Sequence, residues 1–142
     1  DGTIATTLGQ ATAWSNGPVI GLMGDLTFLH DQGSLMLARG RTQTTVLVVL
    51  DNAGGGIFDH LPIAQHPDAY EGWFRTPQQA DIPALCAAAG IPCAPAADLE
   101  RLTAGLSEAL QRPGVSVIHA SFDSKTDQEH HQAAWRAAQR PT

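Results

Sequence analysis

An α/β fold, with a mostly parallel sheet flanked by helices in three layers, is the class this sequence predicts, and three observations carry the prediction. Short apolar runs recur at Val19 to Met23, Thr44 to Leu50 and Val115 to Ala120. They lack polar alternation, as strands covered on both faces do. Segments of helical periodicity separate them, and strands alternating with helices imply parallel pairing through crossovers. A length of 142 residues with 43% hydrophobic content suits one ordinary domain with a single core.

Ile4, Leu8, Ala11 and Trp14 fall at helical spacing before Asn16-Gly17-Pro18, which predicts a helix from about Thr3 to Ser15. Pro18 and Gly24-Asp25 bound the first strand. Leu26 to Arg39 reads as a second helical stretch, with Leu35, Leu37 and Ala38 as apolar members. Thr44 to Leu50 is β-branched and is the clearest strand. Asp51 to Gly56 reads as a loop, and Ile57 to Gln79, rich in Pro, His and aromatics, as a long functional loop with a little helix. Asp81 is placed to cap a helix ending at Ala89, with Gly90 as its C-terminal cap. A short strand is expected within Ile91 to Ala94. Asp98 then opens a helix bearing Leu99, Leu102, Leu106 and Leu110, and an exposed helix over Asp127 to Gln139 follows the last strand.

Composition removes several function classes. The formal charge is −6 and the eight Lys and Arg residues are scattered, so no basic stripe exists for nucleic acid. No apolar run approaches the length of a membrane span. Cys86 and Cys93 are expected to be free thiols of a cytoplasmic protein. His30, His60, His119, His130 and His131 form no zinc-ligand spacing along the chain. Neither a Gly-x-Ser-x-Gly elbow nor a Gly-x4-Gly-Lys-Ser/Thr loop occurs, which argues against hydrolase and nucleotidase chemistry. The chain opens on Asp1 and not Met and runs straight into a helical pattern, so an upstream segment is expected to have been removed.

The candidate site is Gly24-Asp25 together with Asn52 and Gly54-Gly55-Gly56. Ligands of open parallel sheets collect beyond the carboxyl ends of the strands, and Asp25 and Asn52 each lie just past such an end. Their separation, 52 − 25 = 27 residues, leaves room for a crossover helix and a return strand. Mg2+ takes oxygen donors in a tight octahedron, mostly shared with phosphates and water. Asp25 offers a carboxylate, Asn52 an amide oxygen that limits negative charge beside an anion, and the glycine run a backbone carbonyl. Main-chain N–H groups at the glycine turn and after Asp25 are expected to face phosphate oxygens.

Gly-Asp, this interval and then Asn within a strand-helix-strand unit resemble the metal and diphosphate motif of thiamin diphosphate (ThDP) enzymes. Gly24-Asp25-Leu26 and Asp51 to Phe58 are similar, more narrowly, to the menaquinone-pathway synthase family called MenD. The opening Asp1-Gly2-Thr3 is similar to the end of that family's Gly-Ile-Asp-Gly segment. The resemblance implies the diphosphate-binding domain of the ThDP fold over residues 1 to 142, at the C-terminal end of a larger enzyme. It implies Asp25, Asn52 and the Gly54 carbonyl as ligands of Mg2+, with Mn2+ as a substitute. Gly24, Leu26, Gly55 and Ile57 would touch the cofactor, and Ile57, Phe58 and Leu61 would line the substrate pocket. The implied reaction decarboxylates 2-oxoglutarate and adds the resulting carbanion to isochorismate, the cofactor acting as electron sink. The family's catalytic Glu belongs to an N-terminal pyrimidine-binding domain of a second subunit in a homodimer or homotetramer. No catalytic residue is therefore expected in this chain, nor turnover from it alone. The residue that props the cofactor and an Arg for substrate carboxylate would precede Asp1. Asp51 departs from the family, standing where many members have Asn and adding charge beside the metal. Gln65, His66 and Arg75 read as solvated loop residues. Two alternatives remain open: another ThDP enzyme of the acetolactate-synthase or 2-oxo-acid-decarboxylase kind, and a non-catalytic flavodoxin-like module in which Asp25 is a lone metal or phosphoacceptor site.

Overall fold

The structure is a computed structural model and describes residues 2–139. In chain order the elements are α1 (Thr3–Ala13), β1 (Val19–Gly24), α2 (Asp25–His30), a 3-10 helix over Gln32–Ala38, and β2 (Thr45–Asp51). Two 3-10 turns, Gly56–His60 and Pro62–Gln65, then lead to α3 (Pro67–Tyr70) and a π-helical turn, Glu71–Arg75. After these come α4 (Ile82–Ala89), β3 (Cys93–Pro95), α5 (Leu99–Ala109), β4 (Val115–Ser121) and α6 (Ser124–Ala138). The chain divides into two compact units, residues 1–51 with 80–121, and residues 52–79 with 122–142.

The first unit is the predicted α/β sandwich. Its sheet has the order β1-β2-β4-β3, and every pairing is parallel. Successive β2 side chains point to opposite faces, and both faces are covered. Leu47 and Val49 pack with Ile4, Leu8, Phe28, Ile82 and Cys86 from α1, α2 and α4. Val46 and Val48 pack with Ile118 and Ala120 of β4 and with Leu102, Leu106 and Leu110 of the α5 segment. Each such fully buried aliphatic side chain contributes about 1.5–3 kcal/mol, so the central strands anchor the layer.

Local signals placed the helix ends well. Asp81 and Asp98 accept the main-chain N–H of Ala84 and Arg101 at 2.9 and 2.7 Å, and Gly90 adopts φ 74° at the end of α4. Four expectations change. β1 lies at the sheet edge and buries one face only, leaving Ile20 and Leu22 exposed by 49% and 66%. The stretch after it is two helices, because the Asp31 carboxylate turns back to accept from the Ala5 N–H at 2.9 Å and the Ser34 hydroxyl at 2.6 Å. Leu99 is exposed at the first turn of α5. α6 starts earlier than predicted, at Ser124, because Asp123 accepts from the Thr126 N–H at 2.7 Å.

The second unit carries the irregular stretch and α6. Gln128 Nε2 on α6 donates to the Asp59 carbonyl at 2.8 Å, which ties the helix to the Gly56–His60 turn. Cys86 and Cys93, in the first unit, are free thiols, and no helix among the described residues is long and apolar enough to cross a membrane.

Candidate functional site

Asp25 opens α2 directly after the last residue of β1, and its side chain is buried, at 2% exposure. Its Oδ1 accepts from the Leu26 N–H at 2.9 Å. The register sets Gly24 opposite Leu50, so β1 and β2 end together, and Asn52 is the residue that follows β2. Asp51, the last residue of β2, is held by His119 of the adjacent β4, with Nε2 to Oδ2 at 2.7 Å and both side chains largely buried. The extra charge that the sequence set beside the metal motif is thus in hydrogen-bond contact with an imidazole. His119 had no sequence signal, because register and not spacing brings it to Asp51.

In the second unit, Asn52 and the glycines form a tight cradle. The Asn52 Oδ1 is buried with no hydrogen-bond partner, while its main-chain carbonyl accepts from Arg75 Nη2 at 2.6 Å. Gly54 sits at φ 139°, and a Cβ there would stand 2.5 Å from the Arg75 carbonyl oxygen. A side chain on Gly55 would meet the Phe74 carbonyl at 2.6 Å, and one on Gly56 would run into the Asn52 amide. Arg75 organises this loop. Its carbonyl accepts from the Gly55 N–H at 2.6 Å, its Nε lies 3.6 Å from Asp59 Oδ1, and its Nη1 is buried with no partner. Tyr70 also donates its hydroxyl to Asp59; burial first, and then that bond, raises the phenol pKa well above its ordinary value.

Arg75 is therefore a structural clamp, with its side chain only 11% exposed, and not the solvated loop residue the sequence suggested. Gln65 and His66 are exposed, as expected. The expected phosphate donors also change. The N–H groups of Leu26, Gly55 and Gly56 are already engaged, by Asp25 Oδ1, the Arg75 carbonyl and the Gly54 carbonyl. Among the buried side-chain donors of the described residues, Arg75 Nη1 lies at this cradle without a partner.

The family described as thiamine pyrophosphate enzyme, C-terminal TPP binding domain, matches residues 2–120. The chain belongs to this family. As a ThDP domain it has curated relatives named 2-succinyl-5-enolpyruvyl-6-hydroxy-3-cyclohexene-1-carboxylate synthase. That of Synechococcus sp. (strain JA-3-3Ab) is 38% identical over 96% of this chain and 22% of the relative. That of Rhodococcus erythropolis is 37% identical over 85% of this chain and 25% of the relative. The chain thus spans about a quarter or less of the length of these proteins. Among solved structures it is similar to benzoylformate decarboxylase from Polynucleobacter necessarius, with TM-score 0.70 and 26% identity over 86% of this chain and 23% of that one. A ThDP-dependent 4-hydroxybenzoylformate decarboxylase of Rhodococcus jostii shares the fold, with TM-score 0.74 and 20% identity over 85% of this chain and 23% of that one.

The residues fit the group that the family binds. A buried amide oxygen without a donor is what a cation needs, and a buried guanidinium nitrogen without an acceptor is what a diphosphate needs. The Gly54 carbonyl accepts from the Gly56 N–H at 3.0 Å, and a carbonyl oxygen keeps a second lone pair. Of the expected pocket residues, Ile57 and Leu61 are exposed by 73% and 48%, and Phe58 packs edge-on against Phe74 at 5.7 Å.

Proposed function

We propose that this chain is the Mg2+- and diphosphate-holding domain of a ThDP-dependent synthase that decarboxylates 2-oxoglutarate and joins the remainder to isochorismate. The observation that carries the reading is the 38% identity across 96% of the chain to a synthase of that name. The domain would work in the cytoplasm within a homodimer or homotetramer, the pyrimidine end of the cofactor resting on the N-terminal domain of a second subunit.

Asp25 supplies the charged ligand to Mg2+, with Mn2+ as a substitute, and the Asn52 amide and Gly54 carbonyl complete the protein's share of the octahedron. Only one of these three donors is anionic, so the ion keeps positive charge for the diphosphate. Arg75 Nη1 adds a second cationic donor beside the glycine cradle. Gly24, Leu26, Gly55 and Ile57 shape the surface against the cofactor. Ile57, Phe58 and Leu61 form an apolar wall that keeps water from the reacting carbon. The bound cofactor supplies the electron sink for loss of carbon dioxide. The Glu that activates it comes from outside this chain, and the isolated 142 residues are expected to give no turnover.

Carbon dioxide release by the full-length protein tests the reaction. Turnover is expected with 2-oxoglutarate and to yield the joined product only when isochorismate is added. Preferential turnover of pyruvate would instead place the enzyme among the acetolactate-forming or 2-oxo-acid-decarboxylating members.

A further inference from the structure

His60 lies far in sequence from Asp127 and His131, yet the second unit gathers the three so that one donor atom from each lies within 4.8 Å of the others. We propose that they form a second metal site, for a borderline d-block cation such as Zn2+ and not for Mg2+. Two imidazoles and one carboxylate are the donor set that such ions favour, whereas Mg2+ prefers oxygen alone.

The placement follows from the fold. Asp127 and His131 are one turn apart on α6 and share a face, with His131 Nδ1 3.3 Å from Asp127 Oδ1. His60 ends the Gly56–His60 turn, and the neighbouring Asp59 carbonyl is bonded to Gln128, so turn and helix are clamped beside the cluster. The His60 and His131 rings stand 5.1 Å apart. His60 Nδ1 is buried with no hydrogen-bond partner, which a bound cation would satisfy. Trp135 packs on both rings, at 5.0 and 5.9 Å, and supplies the apolar wall that strengthens coordination. Donors around tetrahedral Zn2+, with bonds of about 2.0–2.1 Å, stand roughly 3.4 Å apart. Closing the cluster onto an ion therefore takes shifts of about 1 Å, and water can fill the fourth position.

The test is calorimetric titration of ZnCl2 into the chelator-stripped chain with Mg2+ in large excess, which occupies oxygen-only sites. One Zn2+ per chain is expected, with a Kd of about 10 µM or tighter. His131→Ala and His60→Ala should each weaken it at least about tenfold. His130→Ala, the exposed neighbour, should leave it unchanged. The His131 side chain is 49% exposed, so its replacement does not threaten folding and is the decisive variant. Zn2+ affinity unaltered by His131→Ala, or no stoichiometric binding in the unaltered chain, would overturn the site. Neither result bears on ThDP, because none of the three residues is assigned to the cofactor.

Discussion

Gly54→Ala in the full-length protein is expected to lower Mg2+-dependent ThDP affinity by about a hundredfold or more while the sheet stays folded. At φ 139° an L side chain is strained, and its Cβ would stand 2.5 Å from the Arg75 carbonyl and 2.8 Å from that of Thr76. Both atoms are backbone, so the loop itself must move. A displacement of about 1 Å is enough to take a carbonyl out of a tight octahedral shell. Strain and clash together cost roughly 3 kcal/mol, which is the stated factor in affinity. Gly54 lies outside the sheet unit, so the far-UV thermal transition of the β1-β2-β4-β3 layer should shift little. Affinity within about threefold of the parent would show that the cradle does not set the cofactor's position.

Arg75→Met should cost about 3 kcal/mol in chemical denaturation, read on the unit formed by residues 52–79 and 122–142. The substitution keeps the apolar stem but removes the donor to the Asn52 carbonyl and the cation facing Asp59, whose side chain is only 17% exposed. Much of the cost is a largely buried carboxylate left without its cation, with the Tyr70 hydroxyl as its remaining donor. Adding Asp59→Asn should therefore recover about 1 kcal/mol or more, so that the double variant is less destabilised than the sum of the singles. Strict additivity would mean that Arg75 does not act through Asp59.

What the sequence made legible was local. β2 and β4 declared themselves by short apolar runs rich in β-branched residues, and the capping Asp81, Asp98 and Gly90 by their places beside helical periods. The positions of Asp25 and Asn52 were legible to the same degree, because they are fixed by strand ends that the runs already mark. What escaped was contact across sequence distance. Asp31 bonding to Ala5 breaks the second helix, His119 pairs with Asp51 through sheet register, and Arg75 folds back on Asn52. The His60, Asp127 and His131 cluster has the same origin, since spacing along the chain carries no trace of a turn meeting a helix. The edge position of β1 was hidden too, because an apolar run does not say how many neighbours a strand has.

The proposed role of Asn52 Oδ1 is to hold the metal that holds the diphosphate. Calorimetry of ThDP binding to the full-length protein, with and without Mg2+, tests it most directly when repeated on Asn52→Ala. Binding should require Mg2+ in the parent, and the Mg2+-dependent part should vanish in the variant. Equal Mg2+-dependent affinity in parent and variant would contradict it.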